Sequence, residues 1–183
     1  MTAFGVVGGG TFGRGLAAAI ARGGNEPVVF SRRERTDLPD GTTATQDASD
    51  LARCELIFFA VPSTYVPLLA PEVGAHLDGR HLIVHVSRGL IGEQLQTVCR
   101  HLVSTTPVRR VGCLAGPINP TVLLDGKPGG GIVGSGFPEV AESVREAIGG
   151  PTLRLYESRD VFGVEVASAM VGLLALAAGF ALE

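Results

Sequence analysis

The sequence predicts a doubly wound α/β fold: a mostly parallel sheet wrapped by helices, with an apolar helix after it. Three observations predict it. A run of glycines, Gly8-Gly9-Gly10-Thr11-Phe12-Gly13, stands directly between a short apolar strand and an Ala-rich helix. Residues 55–61 (ELIFFAV) and 82–86 (LIVHV) are apolar on both faces, as strands buried inside a parallel sheet are. Helical stretches separate the strands at βαβ spacing, so helices cover the sheet on both sides.

Taken in order, residues 3–8 (AFGVVG) form the first strand and residues 12–22 (FGRGLAAAIAR) the first helix, which Gly23-Gly24 stops. Residues 27–31 (PVVFS) form the second strand. The polar, turn-like residues 32–42 then close the first βαβ unit. Strands follow at 55–61 and 82–86, separated by a Pro-interrupted helical stretch over 63–77. A helix is expected near 93–102, a strand near 110–115 and a Gly/Pro-rich loop over 116–131. A strand at 131–134, a helix at 138–148 and a strand at 152–156 complete a wound domain assigned to residues 1–157.

Residues 158–183 form a separate apolar helix, with no charge between Glu165 and Glu183. Its length lies at the lower edge of a bilayer span. Small residues suit close helix packing, however, and no basic flank follows, so a buried helix is expected rather than a membrane segment. It would begin or replace a helical second domain, or be covered by a second copy in a homodimer.

Composition narrows the function. A chain of 183 residues with 45% hydrophobic content buries one sizeable core. A net charge of -3 and a pI near 5.8 leave no basic surplus for nucleic acid or an anionic membrane, which favours a small-molecule partner. Cys54, Cys99 and Cys113 are odd in number and lack metal-ligand spacing, so neither a disulfide framework nor a metal site is expected. The start, from Met1 straight into an apolar strand, points to the cytoplasm. Fourteen of the 15 basic residues are arginine, and Lys127 is the only lysine.

The glycines carry the chemistry. Gly8 makes the tight turn, Gly10 lets backbone approach a pyrophosphate, and Gly13 lets the helix pack on the strand. Thr11 and Phe12 open that helix, whose free N–H groups and positive dipole end receive the anion. This is the dinucleotide-binding fingerprint of a Rossmann sheet. Where a strict NAD site has a carboxylate, at the end of the second strand, stand Ser31-Arg32-Arg33. Guanidinium groups there bind the adenosine 2′-phosphate of NADP, the favoured cofactor, with NAD the alternative. The same arginines also fit a solvated charge run with Glu34 and Arg35. Pro62-Ser63 and Ser87-Arg88-Gly89 end the next two strands, where the nicotinamide half of such a site lies; Pro62-Ser63 fits a plain helix N-cap equally well.

The ordered motifs GGGTFGRGLA, FSRR, FFAVPS, VSRGL, AGPINP and YESRDVFGVEVASAMVGLLALAAG resemble the NAD(P)-dependent glycerol-3-phosphate dehydrogenases over nearly the whole chain. The resemblance implies an oxidoreductase moving hydride between nicotinamide and the glycerol 3-phosphate/dihydroxyacetone phosphate pair. It places Gly10, Thr11 and Phe12 at the cofactor phosphates and Arg32 and Arg33 at the adenosine ribose. Arg88 falls on a lysine near the substrate, Gly116 at the start of a substrate-phosphate motif, and Pro120 near the cofactor. Two departures touch the chemistry: Ile118 replaces a serine or threonine, and Val171 occupies the catalytic lysine position. Valine has no proton for a developing alkoxide. Arg88 stabilises negative charge but holds its proton, and the titratable substitutes in the sequence are Lys127 and His85. Two other readings tolerate Val171: a non-catalytic NADP-binding sensor or scaffold, and cofactor-to-cofactor hydride transfer as in deazaflavin-dependent NADP reductases.

Overall fold

In the computed structural model, which describes residues 1–181, strand β1 (Ala3–Val7) passes through the glycine turn into helix α1 (Thr11–Arg22), which returns to β2 (Glu26–Phe30). The chain continues through β3 (Thr43–Thr45), β4 (Leu56–Phe59), α2 (Val66–Gly74), β5 (Leu82–His85), α3 (Val98–Thr105), β6 (Arg110–Ala115) and α4 (Pro120–Asp125). It ends with β7 (Gly129–Ser135), α5 (Pro138–Ile148), β8 (Leu153–Ser158) and α6 (Val161–Ala181). The eight strands form one sheet in the order β3-β2-β1-β4-β5-β6-β7-β8, parallel throughout except where β7 runs antiparallel to β6. The chain thus folds as the predicted doubly wound, mostly parallel sheet.

Strands apolar on both faces make two cores, because successive side chains leave opposite faces. Leu56 and Phe58 of β4 enter one core with Leu16, Ile20 and Val144 of α1 and α5. Ile57 and Phe59 enter the other, with Leu69 of α2 and Leu102 of α3. Strand direction leaves the carboxyl ends of β1, β2, β4 and β5 along one edge.

Several elements differ from expectation. The helix expected near 93–102 begins only at Val98, because residues 91–96 turn back on themselves. Ile91 and Gln96 bridge, with Gly92 and Leu95 at positive φ, and Thr97 then caps the helix by accepting from Arg100 N–H. Helical propensity in the intervening residues yields to turn and cap chemistry. The loop expected over 116–131 contains α4, whose N-cap Asn119 accepts from Thr121 N–H at 3.0 Å, and its last residues already belong to β7. β3 has no apolar signature: it is a polar edge strand bonded only to β2.

The expectation of a buried C-terminal helix is corrected over most of its length. α6 packs on β6 and β7 and buries Val164 and Glu165, but from Val171 its described side chains are exposed. It is long and apolar enough to cross a membrane. Small residues permit close packing, yet from Val171 on they stand exposed among the described residues, and a Cβ on Gly172 or Gly179 would meet nothing within 4 Å. The expected continuation to Glu183 lies outside the described residues.

Candidate cofactor and substrate cleft

Each fingerprint glycine meets a different physical demand. Gly8 has φ +109°, and a Cβ there would sit 2.6 Å from the Ala60 carbonyl oxygen. A Cβ on Gly13 would overlap the Gly8 carbonyl oxygen, so α1 can approach the turn only through a glycine. A Cβ on Gly10 would meet nothing within 4 Å. The space over Gly10 is therefore open to a ligand. Gly10 is the N-cap of α1 without any side-chain cap bond, and the first turn carries no acidic residue. The unpartnered N–H groups and the dipole's positive end face that space. This cradle fits a pyrophosphate.

Two clefts meet there. One, of about 570 Å³, runs from Gly8–Gly10 over Ser31, Arg32, Arg33 and Arg35 to Tyr65. The other, of about 490 Å³, is lined by Thr11, Phe12, Ser87, Arg88, Ile118 and Pro120. Gly10 and residues 60–62 belong to both, so one continuous surface crosses the carboxyl edge of the sheet past the α1 N-terminus. That edge is where ligands sit in open α/β sheets.

In the first cleft the Arg32 guanidinium lies 5.5 Å from the Tyr65 ring centroid. Arg35 lies over Gly9, and its Nε is buried without a hydrogen-bond partner. Arg33 is exposed at the rim. Arg35 and Tyr65 go beyond the residues marked from sequence. Arg35 was legible as part of the same basic run, whereas nothing local signals that Tyr65 folds back beneath Arg32.

In the second cleft Ser87 Oγ donates to the Val61 carbonyl at 2.6 Å and ties the ends of β5 and β4 together. Arg88, one residue on, is exposed beside this tie. Pro62 and Ser63 enter a 3-10 turn before α2, with no side-chain cap bond; Pro62 lines both clefts, whereas Ser63, also marked from sequence, is buried and lines neither. Gly116, at φ +109°, turns the chain out of β6 so that Ile118 and Pro120 reach the cleft. Ile118 is buried there and presents an apolar surface instead of a hydroxyl.

Lys127 and His85, the titratable substitutes marked from sequence, do not line either cleft. Lys127 pairs with Asp125 at 2.7 Å and lines a separate cavity of about 360 Å³ with Arg22 and residues 148–153. His85 is buried on the α3/α6 side of the sheet, where its Nε2–H donates to Glu165 Oε1 at 3.0 Å. Burial works to raise the Glu165 carboxyl pKa, but hydrogen bonds from His85, the Cys99 N–H and Thr97 outweigh it and hold the group below the usual carboxylate value. Val171 lies on the exposed part of α6.

A family model described as the NAD-dependent glycerol-3-phosphate dehydrogenase N-terminus matches residues 34–130, more than half of the chain. The chain belongs to this glycerol-3-phosphate dehydrogenase family. Among curated relatives, glycerol-3-phosphate dehydrogenase [NAD(P)+] of Sinorhizobium fredii is 32% identical over 95% of this chain and 58% of its own length. The enzyme of the same name from Pseudomonas savastanoi is 29% identical over 96% of this chain and 57% of its own. The solved glycerol-3-phosphate dehydrogenase of Coxiella burnetii superposes with a TM-score of 0.85 at 20% identity, covering 97% of this chain and 60% of that one. The Plasmodium falciparum enzyme gives 0.86 at 13%, covering 98% and 58%. These dehydrogenase relatives do not favour the sensor or deazaflavin readings, and the family implies NAD(P) as cofactor. The chain spans a little over half the length of the curated relatives it matches.

Proposed function

We propose that this chain is the NADP-preferring cofactor domain of an oxidoreductase acting on the dihydroxyacetone phosphate/glycerol 3-phosphate pair. The observation that carries the reading is the continuous cleft across the α1 N-terminus, arginine-lined at one end and apolar with a single exposed Arg88 at the other. Residues 1–157 are the cofactor domain. Residues 158–183 begin a helical second domain or a dimer contact, supported by the exposed Leu173, Leu174 and Phe180 of α6. Burial of Cys54, Cys99 and Cys113 as free thiols supports a cytoplasmic location.

A bound nicotinamide supplies the hydride. The chain's own residues bind and orient. Gly8 and Gly13 shape the turn, Gly10, Thr11 and Phe12 hold the pyrophosphate at the α1 N-terminus, and Arg32, Arg33 and Arg35 neutralise the adenosine 2′-phosphate. The Ser87–Val61 tie fixes the floor, from which Arg88 reaches the substrate phosphate or the oxygen on which charge develops. Gly116 aims Ile118 and Pro120, which give the cleft an apolar wall beside the reacting centre. No lysine stands at 171, so the alkoxide draws its proton from solvent and turnover is slow.

The experiment measures NADPH consumption with dihydroxyacetone phosphate. Expected are turnover that Arg88→Ala abolishes, and a roughly hundredfold gain in Val171→Lys, the scale of general acid catalysis. NADPH binding without turnover in either the parent or Val171→Lys would refute the substrate assignment.

A further inference from the structure

Four side chains with no part in the cleft chemistry meet on the sheet face that carries α3 and α6. His85 ends β5 and stands beside Cys113 of β6 in register, α3 brings Cys99 and α6 brings Glu165. A ring nitrogen of His85 and the Sγ atoms of Cys99 and Cys113 all lie within 4.8 Å of one another. All four residues are buried, none more than 7% exposed. Glu165 Oε1 accepts from His85 Nε2–H and, at 2.9 Å, from the Cys99 backbone N–H. The other ring nitrogen, Nδ1, is buried without a hydrogen-bond partner among the described residues.

With Nε2 held by the Glu165 carboxylate, Nδ1 is the ring nitrogen left for an ion. A carboxylate that orients a histidine while its second nitrogen stays free is the outer-shell arrangement of metal-binding imidazoles. We propose that His85, Cys99 and Cys113 form a site for a thiophilic divalent cation, Zn²⁺, with Glu165 as the residue that positions His85.

Ligand chemistry and charge choose the ion. Two sulfurs and an imidazole suit zinc or cuprous copper. In a buried site, two thiolates cancel a divalent cation, whereas a monovalent one leaves excess negative charge beside the Glu165 carboxylate. With bonds of about 2.3 Å to sulfur and about 2.0 Å to nitrogen, ligands of one tetrahedral ion lie nearer than 4.8 Å, so small inward shifts close the site. A water completes the fourth position. Two thiol protons leave to solvent as the ion binds. The scattered cysteine spacing in the sequence is no obstacle, because β5, α3 and β6 each supply one ligand. Bound metal would clamp α6 to the sheet.

The test uses the reduced, chelator-treated protein. Zn²⁺ competition against a chromophoric chelator should give one ion per chain and a raised unfolding temperature. Co²⁺ should give thiolate-to-metal charge-transfer absorption with intense tetrahedral d–d bands. Cys99→Ala and Cys113→Ala should each weaken Zn²⁺ binding at least hundredfold, Glu165→Gln about tenfold or more, and Cys54→Ala not at all. If the cysteine variants misfold, the Co²⁺ spectrum of the unaltered protein decides. Absence of the charge-transfer band, Zn²⁺ binding that survives both cysteine substitutions in folded protein, or a Cys99–Cys113 disulfide formed in place of metal binding would overturn the proposal.

Discussion

Gly10 and Gly13 lie in one six-residue motif, yet their replacement by alanine should fail in opposite ways. At Gly13 the new methyl would overlap the Gly8 carbonyl oxygen and lie 3.0 Å from its carbon. Backbone cannot rotate away as a side chain can, so α1 must retreat by about an ångström from the turn. Overpacking of this kind costs roughly 1–3 kcal/mol. Alanine's better helix propensity returns up to about 1 kcal/mol. Because the overlap is with backbone, the upper half of that range, about 2–3 kcal/mol, applies, and the net loss should be about 1–3 kcal/mol, read as a lower urea midpoint with an unchanged slope. At Gly10 the methyl meets nothing within 4 Å, so stability should change by less than about 1 kcal/mol, the scale of an N-cap exchange. The methyl does occupy the space a pyrophosphate needs. NADPH affinity should therefore fall at least tenfold, about 1.4 kcal/mol. Equilibrium unfolding and NADPH fluorescence titration on both variants separate the two roles. A Gly10→Ala protein that binds NADPH as the parent does would refute the cradle; a Gly13→Ala protein of parental stability would refute the close-approach account.

Other outcomes follow from the same geometry. Arg32→Ala with Arg33→Ala should weaken NADPH at least tenfold while leaving NADH within about twofold, since charge-assisted hydrogen bonds contribute roughly 1.5–3 kcal/mol; calorimetry with both cofactors checks this, and equal losses would dismiss NADP preference. Ser87→Ala should cost about 1 kcal/mol in urea unfolding by leaving the Val61 carbonyl without its donor, and an unchanged midpoint would show that the tie contributes nothing. Glu26 accepts from both Arg53 nitrogens at 2.7 and 2.8 Å, and these bonds hold its carboxyl down from 4.5 to about 2. A depressed folded value gives stability that is full above 4.5 and lost as pH falls toward about 2. Glu26→Gln should remove that part of the acid dependence of unfolding, and parallel curves for the two proteins would contradict it.

Short-range physics made much of the molecule legible. A strand apolar on both faces, a glycine run and an Ala-rich helix each depend on a few neighbouring residues, so β1, α1, β2, β4, β5 and the glycine turn between β1 and α1 could be read directly. Local signals also misled. Residues 93–96 favour a helix but lie in a turn ended by the Thr97 cap, and the three residues of β3 carry no periodicity to read. The candidate cleft was legible where it is local, at Gly8–Gly13 and Arg32–Arg33. Joining the two halves of the cleft required the register of β1, β4 and β5, and placing Tyr65 under Arg32 required the path of the chain into α2.

By itself, then, the sequence determined the doubly wound fold and the glycine turn that opens α1, because backbone conformation and face alternation act over a few residues. Only the tertiary structure decided where His85 stands. Its partners are Cys113 on the adjacent strand, Cys99 on α3 and Glu165 eighty residues away, and no spacing along the chain encodes a cluster assembled by sheet register and by α6 returning to the sheet.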